Sequence, residues 1–271
     1  PTETLRAGLA DRYPIDRPLG SGGTATVYLA RDLRHGRQVA LKVLHPALAA
    51  GVGPQRFLRE IRFAASLQHP HILPLHDSGE VAGLLYYVMP YVEGETLRAC
   101  LERGGRLPVE EAVRIAREVL DALGYAHRHG LVHRDIKPEN ILLSEGYALV
   151  ADFGIAKAVA EAAEADTPVA ATGVAQAGKD RVTETGWGMG TPAYMSPEQI
   201  GGAPVDGRSD LYGLGCVLHE MLTGEPPFTG PTAEAVLVQR FTQAPPHVCA
   251  SRPESSHAMD RAIHRAMSLD P

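Results

Sequence analysis

The sequence predicts an α+β fold in two parts, a small sheet-rich part with one main helix and a larger, mainly helical part. Three observations predict it. Up to about residue 95 the apolar residues alternate or run in short β-branched stretches between polar turns. One segment inside that region switches to helical spacing. Beyond it, long stretches repeat their apolar residues with the period of amphipathic helices.

The elements follow in order. "ATVYLARD" and "RQVALKVL", joined by the polar "LRHG", read as a hairpin. "GPQRFLREIRFAASLQ" places Phe57, Ile61, Ala64, Ala65 and Leu67 near helical spacing, with Pro54 suited to a first turn. "HILPLHDSGEVAGLLYYVMPYV" reads as two more strands. Pro108 to His127 then forms an amphipathic helix with the stripe Val109, Val113, Ala116, Leu120 and Leu123, ended by Gly130. "SDLYGLGCVLHEMLTG" is apolar nearly all round, the mark of a buried helix. "AEAVLVQRFT" and "AMDRAIHRAMSL" supply further helices. The Ala-, Thr- and Gly-rich stretch from Val159 to Lys179 has no period and reads as a loop.

Bulk properties narrow the function. The 271 residues are 44% hydrophobic and 21% charged, an ordinary globular composition with room for a core. A net charge of -6 disfavours nucleic acid as a partner. Cys100, Cys216 and Cys249 are scattered, which gives no disulfide framework and fits a reducing compartment. No apolar run approaches the ~20 residues that span a bilayer, so no membrane contact is expected of this piece. The chain opens on Pro1 and closes on Pro271, which reads as a piece of something longer. Two groups of histidines, His69, His71 and His76, and His127, His129 and His133, are close enough in sequence to suggest metal clusters. Neither carries the cysteine or carboxylate spacing of a zinc site.

Five segments carry chemistry. In "LGSGGTATVY", Leu19, Gly20, Ser21, Gly22 and Gly23 form a turn whose glycine backbone can approach phosphate oxygens closely. Alone it is as easily a plain hairpin turn, and Ala25 stands where a third glycine would complete the pattern. Lys42 sits within "VALKVL", where an ammonium needs an anionic partner, and Glu60 on the following helix could supply one. "LVHRDIKPENILL" packs His133, Arg134, Asp135, Lys137, Glu139 and Asn140 between apolar flanks, more charge than a half-buried segment carries without a purpose. In "LVADFGIAK", Asp152 ends an apolar run beside Phe153-Gly154, a place for a metal-binding carboxylate or a simple turn. "GTPAYMSPEQ" precedes the buried helix.

Each signal is modest alone, but their order resembles the protein-kinase signature set. "ENILL", "DFGIAK", "GTPAYMSPEQ" and "SDLYGLGCVLHEMLTGEPPF" resemble the eukaryotic-like (Hanks-type) serine/threonine protein kinases of bacteria, over essentially the whole chain. The resemblance implies the bilobal protein-kinase fold. Residues 1–91 would form the small lobe, with the glycine-rich loop, the strand lysine, the main helix and the start of the hinge. Residues 92–271 would form the large lobe, with the catalytic loop, the activation segment and the substrate-docking stretch, and MgATP would lie between them.

The same resemblance assigns roles. Asp135 would take or orient the proton of the substrate hydroxyl, and Lys137, typical of serine/threonine kinases, would neutralise charge on the transferred phosphate. Asn140 and Asp152 would hold Mg²⁺, with Mn²⁺ as a substitute. Lys42 would contact the α- and β-phosphates and pair with Glu60. Val27, Ala40 and Leu142 would sandwich the adenine, Met89 would close the back of the pocket, and the Pro90 carbonyl and Val92 N–H would read its edge. The proline does no harm there, because its missing N–H is not used. Glu139 has no part in the chemical step, and His133 is expected against Phe153 and the helix carrying Asp210.

Regulation is implied too. Arg134 and Lys157 look like a basic pocket for phosphate on Thr183 or Thr185 of the activation loop. At the common eukaryotic position stands Trp187, and Thr191 is expected to contact Asp135 and Lys137. Glu198 normally pairs with an arginine beyond the "LDP", which leads to the expectation that the protein continues past residue 271. Expected partners are proteins bearing Ser or Thr, the kinase itself through autophosphorylation, and a second copy through its small lobe. The expected setting is a cytoplasmic kinase domain, with the full protein open to anchoring by a segment beyond residue 271. The rival readings are a pseudokinase scaffold, opposed by Lys42, Asp135, Asn140 and Asp152 occurring together, and a small-molecule phosphotransferase, opposed by the docking stretch.

Overall fold

The computed structural model describes residues 2–46, 54–153 and 192–268. These divide into two compact units. The first takes the described residues of Pro1–Gln68 and Leu73–Tyr91, the second those of His69–Ile72, Val92–Gly154 and Met189–Pro271.

In the first unit, helix α1 (Thr2–Leu9) precedes strands β1 (Ile15–Ser21), β2 (Ala25–Asp32) and β3 (Arg37–Leu44). Helix α2 (Pro54–Ala65) then leads to β4 (Asp77–Val81) and β5 (Leu84–Pro90). The strands form one antiparallel sheet in the order β1-β2-β3-β5-β4. The β4–β5 hairpin turns through Ala82 and Gly83, both at positive φ, a two-residue turn matched to strand twist. Partners across the ladder share a face. Val39, Leu41, Val43, Tyr86 and Val88 therefore line one side, and they pack into a core with Leu5 and Leu9 of α1 and with Tyr13 and Ile15. Helix α1 lies outside the strand-and-turn expectation for this region. Gly8 lets it approach β4 closely, since a Cβ there would run into Val81. In α2, Phe57, Ile61 and Ala64 are buried as the periodicity predicts, as is Leu67 just beyond it, but Ala65 is exposed.

The second unit holds α3 (Leu97–Gly104), α4 (Val109–Arg128), α5 (Pro197–Gly201), α6 (Gly207–Thr223), α7 (Ala233–Thr242), α8 (Val248–Ser251) and α9 (His257–Ala266). A small antiparallel sheet, β6 (Glu95–Thr96), β7 (Ile141–Ser144) and β8 (Tyr147–Val150), runs in that spatial order. Helix α6 is buried on most sides, as its composition predicts, and packs on both α4 and α9. The buried face of α4 corrects the predicted stripe. Ala112, Ile115, Ala116, Val119, Ala122, Leu123 and Ala126 face inward, whereas Leu120 is 43% exposed and Val109 and Val113 are half-buried. The alanines that let α4 sit close to α6 carry little hydrophobic weight, so the bulky residues misplaced the stripe by part of a turn. Among the described residues no helix is long and apolar enough to cross a membrane.

Candidate active site

The candidate site residues of the first unit come from one sheet face and one hairpin. Val27 pairs with Lys42 and Lys42 with Tyr87, while Ala40 pairs with Met89. Val27, Ala40, Lys42 and Met89 thus project from the face opposite the α1 core. The Lys42 ammonium lies 5.8 Å from the centre of the Tyr87 ring. Glu60 is on α2, but its side chain lies outside the described set, so the expected Lys42–Glu60 pair does too. The β1–β2 hairpin carries Leu19 to Gly23, with Gly20 opposite Val27 and Ser21 opposite Thr26. Gly22 N–H donates to the Ala25 carbonyl at 2.9 Å and closes the turn. Cβ atoms at Gly20 and Gly22 would meet nothing within 4 Å among the described residues, so the backbone there borders space those residues leave open. His45 braces the hairpin: its ring nitrogens lie 3.1 Å from the Gly23 carbonyl and 3.2 Å from Thr26 Oγ1. Sequence reasoning missed this residue, because only the register of β3 brings it under the turn. Pro90 ends β5 opposite Val39, and Val92 belongs to the second unit.

In the second unit the charged loop is held from below by a buried carboxylate. Asp210, in the first turn of α6, accepts from His133 N–H at 2.8 Å and from Arg134 N–H at 2.7 Å. His127 Nε2 sits 2.7 Å from the same carboxylate. Those bonds hold Arg134 at φ 67°, a conformation unfavourable for a residue with a Cβ and found where the surroundings over-determine it. His133 ties the loop to the end of β8. Its Nδ1 accepts from Asp135 N–H at 3.2 Å, so Nε2 carries the proton and donates to the Ala151 carbonyl at 2.9 Å. Its ring centre is 4.7 Å from that of Phe153, as expected.

Asp135, Lys137 and Asn140 are brought together directly. Lys137 Nζ is 2.7 Å from Asp135 Oδ2, and Asn140 Nδ2 donates to that same oxygen at 3.0 Å and to the Asp135 carbonyl at 2.8 Å. Pro138–Asn140 form a single 3₁₀ turn leading into β7. Ala151 N–H donates to the Asn140 carbonyl at 2.9 Å, which sets Asp152, at φ 60°, beside the loop. Leu142 is half-buried on β7, opposite Leu149.

A second charge network, missed in the sequence, adjoins the loop. Arg98 of α3 donates to Glu139 at 2.8 Å, to Glu220 at 2.6 Å and to the Tyr194 hydroxyl at 2.5 Å, and Tyr194 donates to Glu220 at 2.6 Å. Burial, then the charge of Glu220, pushes the Tyr194 phenol up, so it stays a donor. Glu139 is thereby tied to α3 through Arg98. The only sequence signal was an arginine and two acids too far apart to suggest contact.

The chain is similar to known proteins. The protein kinase domain family matches residues 13–267. The chain belongs to that family. It is 41% identical to the serine/threonine-protein kinase PknB of Mycolicibacterium smegmatis over 97% of this chain and 40% of that protein. It is 42% identical to a probable serine/threonine-protein kinase of Streptomyces coelicolor over 97% of this chain and 38% of that protein. Among solved structures, the Mycobacterium tuberculosis PknI kinase domain superposes with a TM-score of 0.70 at 33% identity, covering 95% of this chain and 88% of that one. The chain spans about two fifths of the length of these curated relatives.

Protein kinases use ATP with a divalent cation, and the residues present suit both. The open backbone at Gly20 and Gly22 leaves room for phosphates. Asn140 has both amide hydrogens engaged by Asp135, so the atom it can offer a cation is its carbonyl oxygen. With the Asp152 carboxylate this makes the oxygen-only donor set that hard cations take. The remaining expected site residues, Lys157, Thr183, Thr185 and Thr191, lie outside the described residues. Of the two histidine groups, His127 and His133 are engaged as described, and three more have partners of their own. His71 Nδ1 is 2.9 Å from the Ala148 carbonyl, His129 Nδ1 is 2.8 Å from the Tyr125 carbonyl, and His69 Nε2 is 3.4 Å from Asp121.

Proposed function

We propose that this chain is a serine/threonine protein kinase that transfers the γ-phosphate of MgATP to protein hydroxyls, its own included. The carrying observation is the Asp135–Lys137–Asn140 constellation, with Asp210 holding the loop from beneath. Asp135 orients the attacking hydroxyl and receives its proton, and the adjacent Lys137 ammonium offsets charge on the transferred group. Mg²⁺, when bound, neutralises the phosphates and is held by Asn140 and Asp152. Lys42 positions the α- and β-phosphates, with Glu60 as its partner. Leu19, Gly20, Ser21, Gly22 and Gly23 cradle the phosphates. Val27, Ala40 and Leu142 enclose the adenine, Met89 backs it, and the Pro90 carbonyl and Val92 N–H bind its edge. Positioning and charge stabilisation supply the rate, because phosphoryl transfer leaves the protein little covalent chemistry. Activation follows phosphorylation of Thr183 or Thr185, read by Arg134 and Lys157.

Incubation with labelled MgATP and a generic Ser/Thr substrate tests this. Wild type incorporates label and Asp135→Asn does not, though it still binds ATP. Label mapping to Thr183 or Thr185 supports the loop switch, and label on Thr167 or Thr172 alone sinks it. A folded wild type that binds ATP and transfers nothing overturns the catalytic reading in favour of a scaffold.

A further inference from the structure

One side-chain cluster of the second unit has no part in phosphoryl transfer. His247 immediately precedes α8, and Asp260 and His264 stand four residues apart on α9, one turn along the same face. One ligating atom from each of the three lies within 4.8 Å of the other two. His247 Nδ1 is 2.7 Å from Asp260 Oδ2, and the His247 and His264 rings stack at 4.1 Å and 22°. Asp260 is 6% exposed and its Oδ1 accepts from Val248 N–H at 2.8 Å. His264 Nε2 is enclosed and has no hydrogen-bond partner among the described residues. An enclosed ring nitrogen with neither donor nor acceptor opposite it costs stability until something binds it.

We propose that His247, Asp260 and His264 bind one borderline divalent cation of the Zn²⁺ class, through two imidazole nitrogens and one carboxylate oxygen, with water completing the shell. The donor set decides the class: imidazole nitrogen suits zinc, copper or nickel, whereas magnesium and calcium prefer oxygen alone. This separates the site from the oxygen donors Asn140 and Asp152. The ligands need little movement. Donor atoms around tetrahedral zinc lie about 3.4 Å apart, and the His247 side chain, 66% exposed, is free to turn away from its 2.7 Å contact with Asp260. A third histidine of this unit, His219 of α6, does not belong to the group whose ligating atoms lie within 4.8 Å of one another. The cation would fasten α8 to α9. Helix α9 in turn runs against α6 at Gly215, where a Cβ would meet Ala266 and Met267, and α6 carries the Asp210 that holds the catalytic loop. The role is a structural staple under the large unit.

The test is titration of chelator-treated protein, without nucleotide, with Zn²⁺ by calorimetry and with Co²⁺ by its visible absorption. Wild type should bind one equivalent with a tetrahedral-type Co²⁺ spectrum and a raised melting temperature. His247→Ala, a change at an exposed side chain, should weaken binding at least as much as the roughly 10–100-fold that loss of a supporting residue alone costs. His264→Gln should do the same, and Asp152→Asn should leave this binding intact. Absence of stoichiometric binding, or binding unchanged in His247→Ala, overturns the proposal and leaves a hydrogen-bonded pair at the start of α8. Binding lost in Asp152→Asn alone overturns it too, and assigns the cation to the nucleotide-binding residues.

Discussion

The two units present their candidate site residues in opposite ways. In the first, Val27, Ala40, Lys42 and Met89 stand on one face of a regular sheet, and their direction follows from ladder register alone. In the second, Asp135, Lys137 and Asn140 stand on a loop with almost no regular structure, bonded to one another and held through His133 and Arg134 by Asp210, far away in sequence. A sheet face is held by the core behind it. A loop is held by whichever buried polar group satisfies its backbone. Damage to the support of each should therefore fail differently: polar loss beneath the loop should remove activity, and apolar loss behind the sheet should remove stability first.

The largest expected effect is Asp210→Asn. The amide keeps the size but places an N–H₂ against one of the donors His133 N–H, Arg134 N–H or His127 Nε2. An unsatisfied buried donor costs ~1–3 kcal/mol, and a small misplacement of a catalytic group can cost about 10²-fold in rate. Transfer should fall about that far while ATP affinity, read by calorimetry, changes little. Equal losses in both would break the distinction between the units.

That contrast also measures what was legible. Strands β2 to β5, the α2 helix, α6 and the kinase motifs could be read, because alternation, helical period and motif order are local signals, whereas the short β6 and β7 could not. His133 against Phe153 could be read by resemblance. Three supports could not. Helix α1 is only eight residues long and its apolar pair Leu5 and Leu9 is too short a pattern to stand out. His45 braces the glycine turn only through the β2–β3 register. The Arg98–Glu139–Glu220–Tyr194 network joins residues up to 122 positions apart, and no spacing rule reaches that far.

Next in size is Leu9→Ala. Leu9 is 4% exposed in the core between α1 and the back of the sheet. Leu→Ala at such a site costs about 2–5 kcal/mol, with the rate per folded molecule kept near wild type. A chemical denaturation curve beside an active-site titration would separate the two. Gly8→Ala should push in the same direction, since its Cβ meets Val81. If either variant lost rate without stability, the sheet would not be the passive platform described.

The smallest effects lie on α3, where two arginines five residues apart sharpen the comparison on one helix. Arg98→Lys keeps the charge but loses the fork that spans Glu139, Glu220 and Tyr194. Lysine cannot reach three partners in one plane. Burial opposes the Arg98 charge, but the hydrogen bonds of Glu139 and Glu220 more than offset it and hold the guanidinium protonated. Because the side chain is partly solvated, the expected loss is only about 1–2 kcal/mol, read as a lower unfolding midpoint that salt hardly changes. Arg103 makes an equally close, two-pronged contact with Glu95 at 2.5 and 2.7 Å, but in the open. Water and ions screen that pair in both the folded and unfolded chain, so Arg103→Ala should leave the midpoint where it was. Equal shifts in the two variants would mean that contact geometry outweighs burial on this helix. The Arg98 network would then be one more surface pair, with no part in holding the loop.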